Sequence, residues 1–98
     1  MPNENVKRGV TWLDEHAPDW RTRIDLETLD LESGYHCILG QLYGHFDRAW
    51  DGSMFYPQFC RWATRHGFNL RSGRQNWARL TAAWIAELEC PQMREAHL

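Results

Sequence analysis

The sequence predicts an all-α fold, a small bundle of about four helices with an irregular, short-turn segment between helices 1 and 2. Three observations carry that expectation. Apolar residues recur at three- and four-residue intervals in four separate stretches, the spacing of one helical face. Each stretch runs into a helix-ending signal: Pro18, Asp51-Gly52, Gly67 or Pro91. No two segments alternate with a period of two, so a strand would find no partner.

The first helix is expected over residues 4–17, with Val6, Val10, Leu13 and Ala17 on one face and Asn3 or Asn5 as cap. Pro18 ends it by pushing the preceding residue out of helical angles. Gly9 sits inside the pattern and costs about 1 kcal/mol relative to Ala, so it marks a close crossing of another backbone. The next stretch, residues 18–33, has no clean period. Pro18-Asp19-Trp20-Arg21 opens a short helix, and Asp25 and Asp30 cap one or two tight turns that lay leucines onto the core.

Residues 34–50 are expected to form one central helix, because Tyr35, Ile38, Leu39, Leu42, Phe46, Ala49 and Trp50 make a broad apolar stripe. Gly40 and Gly44 lie four apart on that helix and read as a shallow groove where another helix or a Trp ring packs close. A third helix runs from about Phe55 to His66, with Gly67 as its left-handed stop. Asn76 or Ser72 caps a fourth that reaches about Glu89, with Trp77, Leu80, Trp84 and Leu88 on one face.

One domain, residues 1–98, accounts for the length, with an ordered core over about 4–90 and a mobile tail at 91–98. The six Trp, three Tyr and four Phe supply a short chain with large buried areas, so most of the tryptophans are expected in the core. A net charge of −2 argues against a protein whose affinity rests on neutralising phosphates. No apolar run approaches the ~20 residues needed to span a bilayer, and the polar stretch Met1–Arg8 lacks a signal-peptide core. Three widely spaced cysteines, Cys37, Cys60 and Cys90, fit reduced thiols in a cytoplasm better than a disulfide framework.

Chemistry-bearing motifs are sparse. His16, His36, Cys37, His45, Cys60, His66, Cys90 and His97 include no CxxC, HxxxH or HExxH spacing, so neither a metal nor a cofactor is expected. No glycine-rich phosphate loop follows a strand, and no signature surrounds a cysteine nucleophile. The carboxylates read as caps and a solvated face. These absences predict a non-enzymatic protein.

The stretch GVTWLDEHAPDWRTRIDLETLDL (9–31), then CILGQLYGHF (37–46) and LTAAW (80–84), resembles small proteins of actinobacteria and their bacteriophages. In that group a WLD…PxW…IDLxxLDL stretch precedes a CxLGQLYG segment. The likeness covers residues 9–46 well and 77–88 loosely. It brings no catalytic residue to carry over, since the group has no assigned activity. What it implies is a setting: the cytoplasm of an actinobacterial host, during phage infection.

Two functional expectations follow. The first is an adaptor or modulator that binds a host or phage protein, with Trp12, Trp20, Gly40 and Gly44 as candidate contacts. Trp12 lies off the centre line of its helix and Trp20 falls in the irregular segment. Trp and Arg are the residue types favoured at interface hot spots. An exposed Gly40–Gly44 face would equally suit a homodimer. The second, ranked lower, is a nucleic-acid-associated protein that uses a basic corner of Arg61, Arg65, Arg71, Arg74 and Arg79 near Trp62 or Trp77. A helix-turn-helix would need a three- or four-residue turn, where GFNLRSGRQ (67–75) supplies a much longer one.

Overall fold

In the computed structural model, which describes residues 4–70 and 76–89, five α-helices and one 3-10 turn surround a single core, and the described residues include no strand. The fold is all-α, as the periodicity predicts. Helix α1, Glu4–His16, buries Val6, Val10 and Leu13 on one face. Gly9 lies at a backbone crossing: a Cβ there would stand 2.1 Å from the His66 carbonyl oxygen and 3.0 Å from the Trp84 ring. Only a residue without a side chain lets α1 approach the end of α4 so closely.

Past Pro18 the chain makes a one-turn helix α2, Trp20–Arg23, and then two turns held by aspartates. The Glu27 amide donates to Asp25 Oδ1 and the Glu32 amide to Asp30 Oδ1, each at 3.0 Å. Side-chain oxygens thereby replace the missing helical acceptors, which is why aspartate suits both positions. The turns deliver Leu29 and Leu31 to the core, and the Leu31 amide donates to Thr81 Oγ1 on the last helix at 3.0 Å.

The single helix expected over 34–50 is not formed. Helix α3 spans only Ile38–Tyr43, and a 3-10 turn follows at Phe46–Ala49. Its start is fixed by Cys37, whose Sγ accepts the Gly40 amide at 3.2 Å. Its end is fixed by Gly44, at φ +95°, whose amide donates to the Gly40 carbonyl at 2.8 Å. The chain on both sides folds back on α3: the Phe46 amide donates to the Gly34 carbonyl at 2.7 Å. The apolar stripe is real, but a left-handed glycine divides it between two elements.

Helix α4, Tyr56–Arg65, begins at Phe55, whose amide donates to Gln58 Oε1 at 3.1 Å, and carries Pro57 in its first turn. It closes in a Schellman motif, with the Phe68 amide on the Ala63 carbonyl at 2.8 Å and the Gly67 amide on Thr64 at 3.2 Å. Gly67 supplies the positive φ, +75°, that this closure requires. Helix α5, Trp77–Glu89, is capped by Asn76, whose Oδ1 accepts the Arg79 amide at 3.0 Å.

The core is aromatic at its centre. Trp84 is fully buried, stacks on Phe68 at 5.5 Å and meets Trp20 edge-on at 5.8 Å. Both indoles keep their N–H groups satisfied: Trp84 donates to the Gly67 carbonyl at 2.7 Å and Trp20 to Asp14 Oδ1 at 2.9 Å. A buried indole with its donor bonded contributes its full ring area without leaving a stranded polar atom. The expected tail, 91–98, lies outside the described residues.

Candidate functional site

Two aromatic surfaces emerge, and the sequence singled out a member of only one. The first lies where the 3-10 turn leads into α4. Phe55 is 77 % exposed, beside exposed Met54 and Tyr56 and half-buried Trp50. Trp50 and Tyr56 meet edge-to-face at 5.2 Å, and Tyr56 continues onto buried Phe59 at 5.9 Å. The surface extends through polar links to a second exposed ring. The Tyr56 hydroxyl donates to Asp47 Oδ1 at 2.5 Å, Asp47 Oδ2 lies 3.8 Å from His45 Nδ1, and the His45 ring meets Tyr35 at 4.6 Å.

Electrostatics fix the state of this surface. The hydrogen bond to Asp47, then burial, raise the Tyr56 pKa, so its hydroxyl stays protonated. Hydrogen bonds from the Ser53 side chain and amide hold Asp51 below the ordinary carboxylate range, so it remains ionised. The Trp50 indole donates to the Met54 carbonyl at 2.7 Å, which folds the 50–54 loop onto itself. With Tyr56 and Trp50 donors both occupied, the outward face offers apolar area flanked by acid groups.

The second surface is a groove of about 350 Å³ along α1, lined by Glu4, Lys7, Arg8, Thr11, Trp12 and Glu15, with His66 across from them. Behind it stands a stack of rings from α1 and α4. Trp12 stacks on His16 at 4.4 Å, Trp62 on His66 at 4.5 Å, and the two indoles meet edge-on at 5.0 Å. His16 and His66 each place Nδ1 on the carbonyl four residues back, Trp12 at 2.9 Å and Trp62 at 2.8 Å. A carbonyl can only accept, so Nδ1 carries a proton in both rings. Arg8 ties the groove to α4 by donating Nε–H to the Arg65 carbonyl at 2.9 Å and also bonds Asn5.

The expected site residues scatter. Trp12 is half-buried and borders the groove, consistent with its place off the helix centre line. Trp20 is corrected: it is 0 % exposed, because its indole N–H finds Asp14 and its ring packs on Trp84 beneath the Arg21 guanidinium, 4.5 Å away. Gly40 is also corrected. It is buried, and a Cβ there would stand 2.3 Å from the Gly34 carbonyl oxygen, so the 31–37 turn already fills its groove. Gly44 is exposed but ends α3, so the two glycines share no open helix face and offer no dimer seam.

Of the basic corner, Arg61 and Arg65 lie one turn apart on exposed positions of α4, and Arg79 stands exposed in the first turn of α5. Arg71 and Arg74 lie outside the described residues. Sequence reasoning missed Phe55 and Arg8. Phe55 falls at the start of the expected third helix, but as N-cap it precedes α4 and does not share its face.

Among the described residues, no three His, Cys, Asp or Glu side chains converge as metal ligands do. None of the described helices is long and apolar enough to cross a membrane. Comparison with protein-family models, curated proteins and solved structures finds no match to this chain.

Proposed function

We propose that the chain is a non-enzymatic adaptor or modulator that docks on another protein through residues 50–56, with Phe55 as the anchor. The observation that carries this reading is a phenylalanine 77 % exposed, next in the chain to Tyr56, whose ring meets that of Trp50. Burying a ring of that size at an interface contributes about 1.5–3 kcal/mol, and aromatic anchors concentrate binding energy. Trp50 and Tyr56 bring little desolvation cost, since their donors are already bonded within the chain.

Charge selects the partner. Ionised Asp51 and the Asp47 carboxylate flank the rings, so the fitting partner presents an apolar pocket edged by Lys or Arg. An acidic rim would be rejected. The compartment assigned by this reading is the cytoplasm. The resemblance to actinobacteriophage proteins adds the setting of a phage protein acting on a host one.

The test is affinity capture from nuclease-treated actinobacterial lysate with three baits: wild type, Phe55→Asp and Trp12→Phe. A discrete protein retained by wild type and Trp12→Phe but lost with Phe55→Asp is the expected result. Equal retention by all three baits contradicts docking at Phe55.

A further inference from the structure

We propose that the groove along α1 binds a nucleoside monophosphate unit, free or as one residue of a single strand. Lys7 and Arg8 would hold the phosphate, Trp12 the base and Glu15 an exocyclic amino group of that base. Four observations point there, independently of the Phe55 surface.

The groove is polarised along one helix face. Lys7 and Arg8 stand at one end, half-exposed Trp12 one turn on, and Glu15 beyond it. At 1.5 Å per residue the cations and the carboxylate are separated by roughly 10–12 Å. That order of cation, ring and acceptor matches the order of phosphate, base ring and exocyclic amine along a nucleotide.

The cationic end is open for a ligand. Among the described residues, the Lys7 ammonium has no ion pair or hydrogen bond. Arg8 is held in place by the Arg65 carbonyl and Asn5, so its guanidinium is positioned before any anion arrives. Exposed Arg65 adds to the positive field from the α4 side.

The ring is supported from behind. His16 stacks on Trp12 at 4.4 Å, and Trp62 and Phe68 meet it at steep angles at 5.0 and 6.2 Å, so the indole is held in place where it lines the groove. Stacking on a fixed aromatic tolerates any base, because every base has a π-face. His66, across the groove, provides a further polar contact to a sugar hydroxyl.

The carboxylates set limits on the ligand. Glu15 accepts N–H groups, so adenine and cytosine, which carry an exocyclic amine, fit better than uracil. Glu4 lies one turn before Lys7 and would repel a longer phosphate chain, which favours a monophosphate over a triphosphate.

The experiment is an amide and indole NMR titration of the full chain with AMP, UMP, inorganic phosphate and a single-stranded oligoadenylate. Saturable shifts at the Trp12 indole and at amides 7–15 are expected, with AMP bound about tenfold more tightly than UMP. AMP saturating alone identifies a free nucleotide, whereas oligoadenylate alone identifies a strand, and either supports the site. Lys7→Glu, on an exposed position that leaves the core intact, should weaken binding about tenfold. Glu15→Gln should keep the binding and lose the preference over UMP. Inorganic phosphate giving the same shifts, unchanged affinity in Lys7→Glu, or no saturable shift from AMP and oligoadenylate would each overturn the proposal.

Discussion

The aromatic centre of the bundle and the aromatic loop at 50–56 use the same residue types to opposite ends. Trp20, Trp84 and Phe68 are wholly buried, with each indole donor bonded to a carboxylate or a carbonyl. Trp50 and Tyr56 also have their donors bonded internally, yet they sit at the surface beside Phe55, whose exposed ring has no polar group to satisfy. Satisfied polar handles therefore serve two purposes. In the core they let a ring be buried without a stranded donor. At the loop they leave a surface whose remaining demand is apolar, and that demand another molecule can meet.

Breaking the core side of this contrast should give the largest effect. Trp84→Ala removes the stack on Phe68 and the edge contact with Trp20, and strands the Gly67 carbonyl. A loss of about 3–5 kcal/mol is expected in urea or thermal unfolding. Next comes Gly9→Val, which forces a side chain into the His66 carbonyl and the Trp84 ring and should cost about 1–3 kcal/mol. A neutral result there would mean that α1 and the end of α4 are not in the contact described.

The loop side should behave differently. Phe55→Asp is expected to leave unfolding stability unchanged or raised by up to about 1 kcal/mol, because the ring covers little of the core and Asp is a favoured N-cap. Should it destabilise as Trp84→Ala does, the loop would belong to the core and the contrast would disappear.

The smallest effect concerns alkaline pH. Burial raises the pKa of the Cys37 thiol above its ordinary 9.0, and the Asp47 hydrogen bond raises that of the Tyr56 hydroxyl above 10.0. In both cases the unfolded chain loses its proton first, so it binds fewer protons than the folded one. Stability contributed by each group is full below the ordinary value and is lost as pH rises beyond it. Denaturation midpoints should fall above pH 9 and more steeply above pH 10, and Cys37→Ala should remove the earlier part of that fall.

Local signals in the sequence were read correctly where a single residue decides the geometry. Pro18 ends α1, Asp25 and Asp30 hold their turns, Gly67 closes α4, and Asn76 opens α5. Gly9 as a crossing point follows from the cost of glycine inside a helix, which only a close contact offsets. The break inside 34–50 was not legible. A cysteine is an uncommon cap, and Gly44 reads as a small residue on a helix face until Gly34 is known to lie against Gly40. Trp20 was misplaced for a related reason: an irregular segment suggests the surface, whereas Asp14, six residues earlier, supplies the partner that lets its indole be buried. Phe55 was hidden by the very regularity of α4, since a helical pattern does not say which apolar residue precedes the first turn.

The most direct test of docking at the loop places a photoactivatable benzophenone at position 55 in one sample and, in another, at exposed position 65 at the far end of α4. Irradiation in nuclease-treated lysate should join position 55, and not position 65, to one discrete protein. Excess unlabelled wild type should suppress that adduct, while excess Phe55→Asp should not. Equal labelling from both positions, an adduct formed only with a second copy of this chain, or no adduct from position 55 would contradict the account.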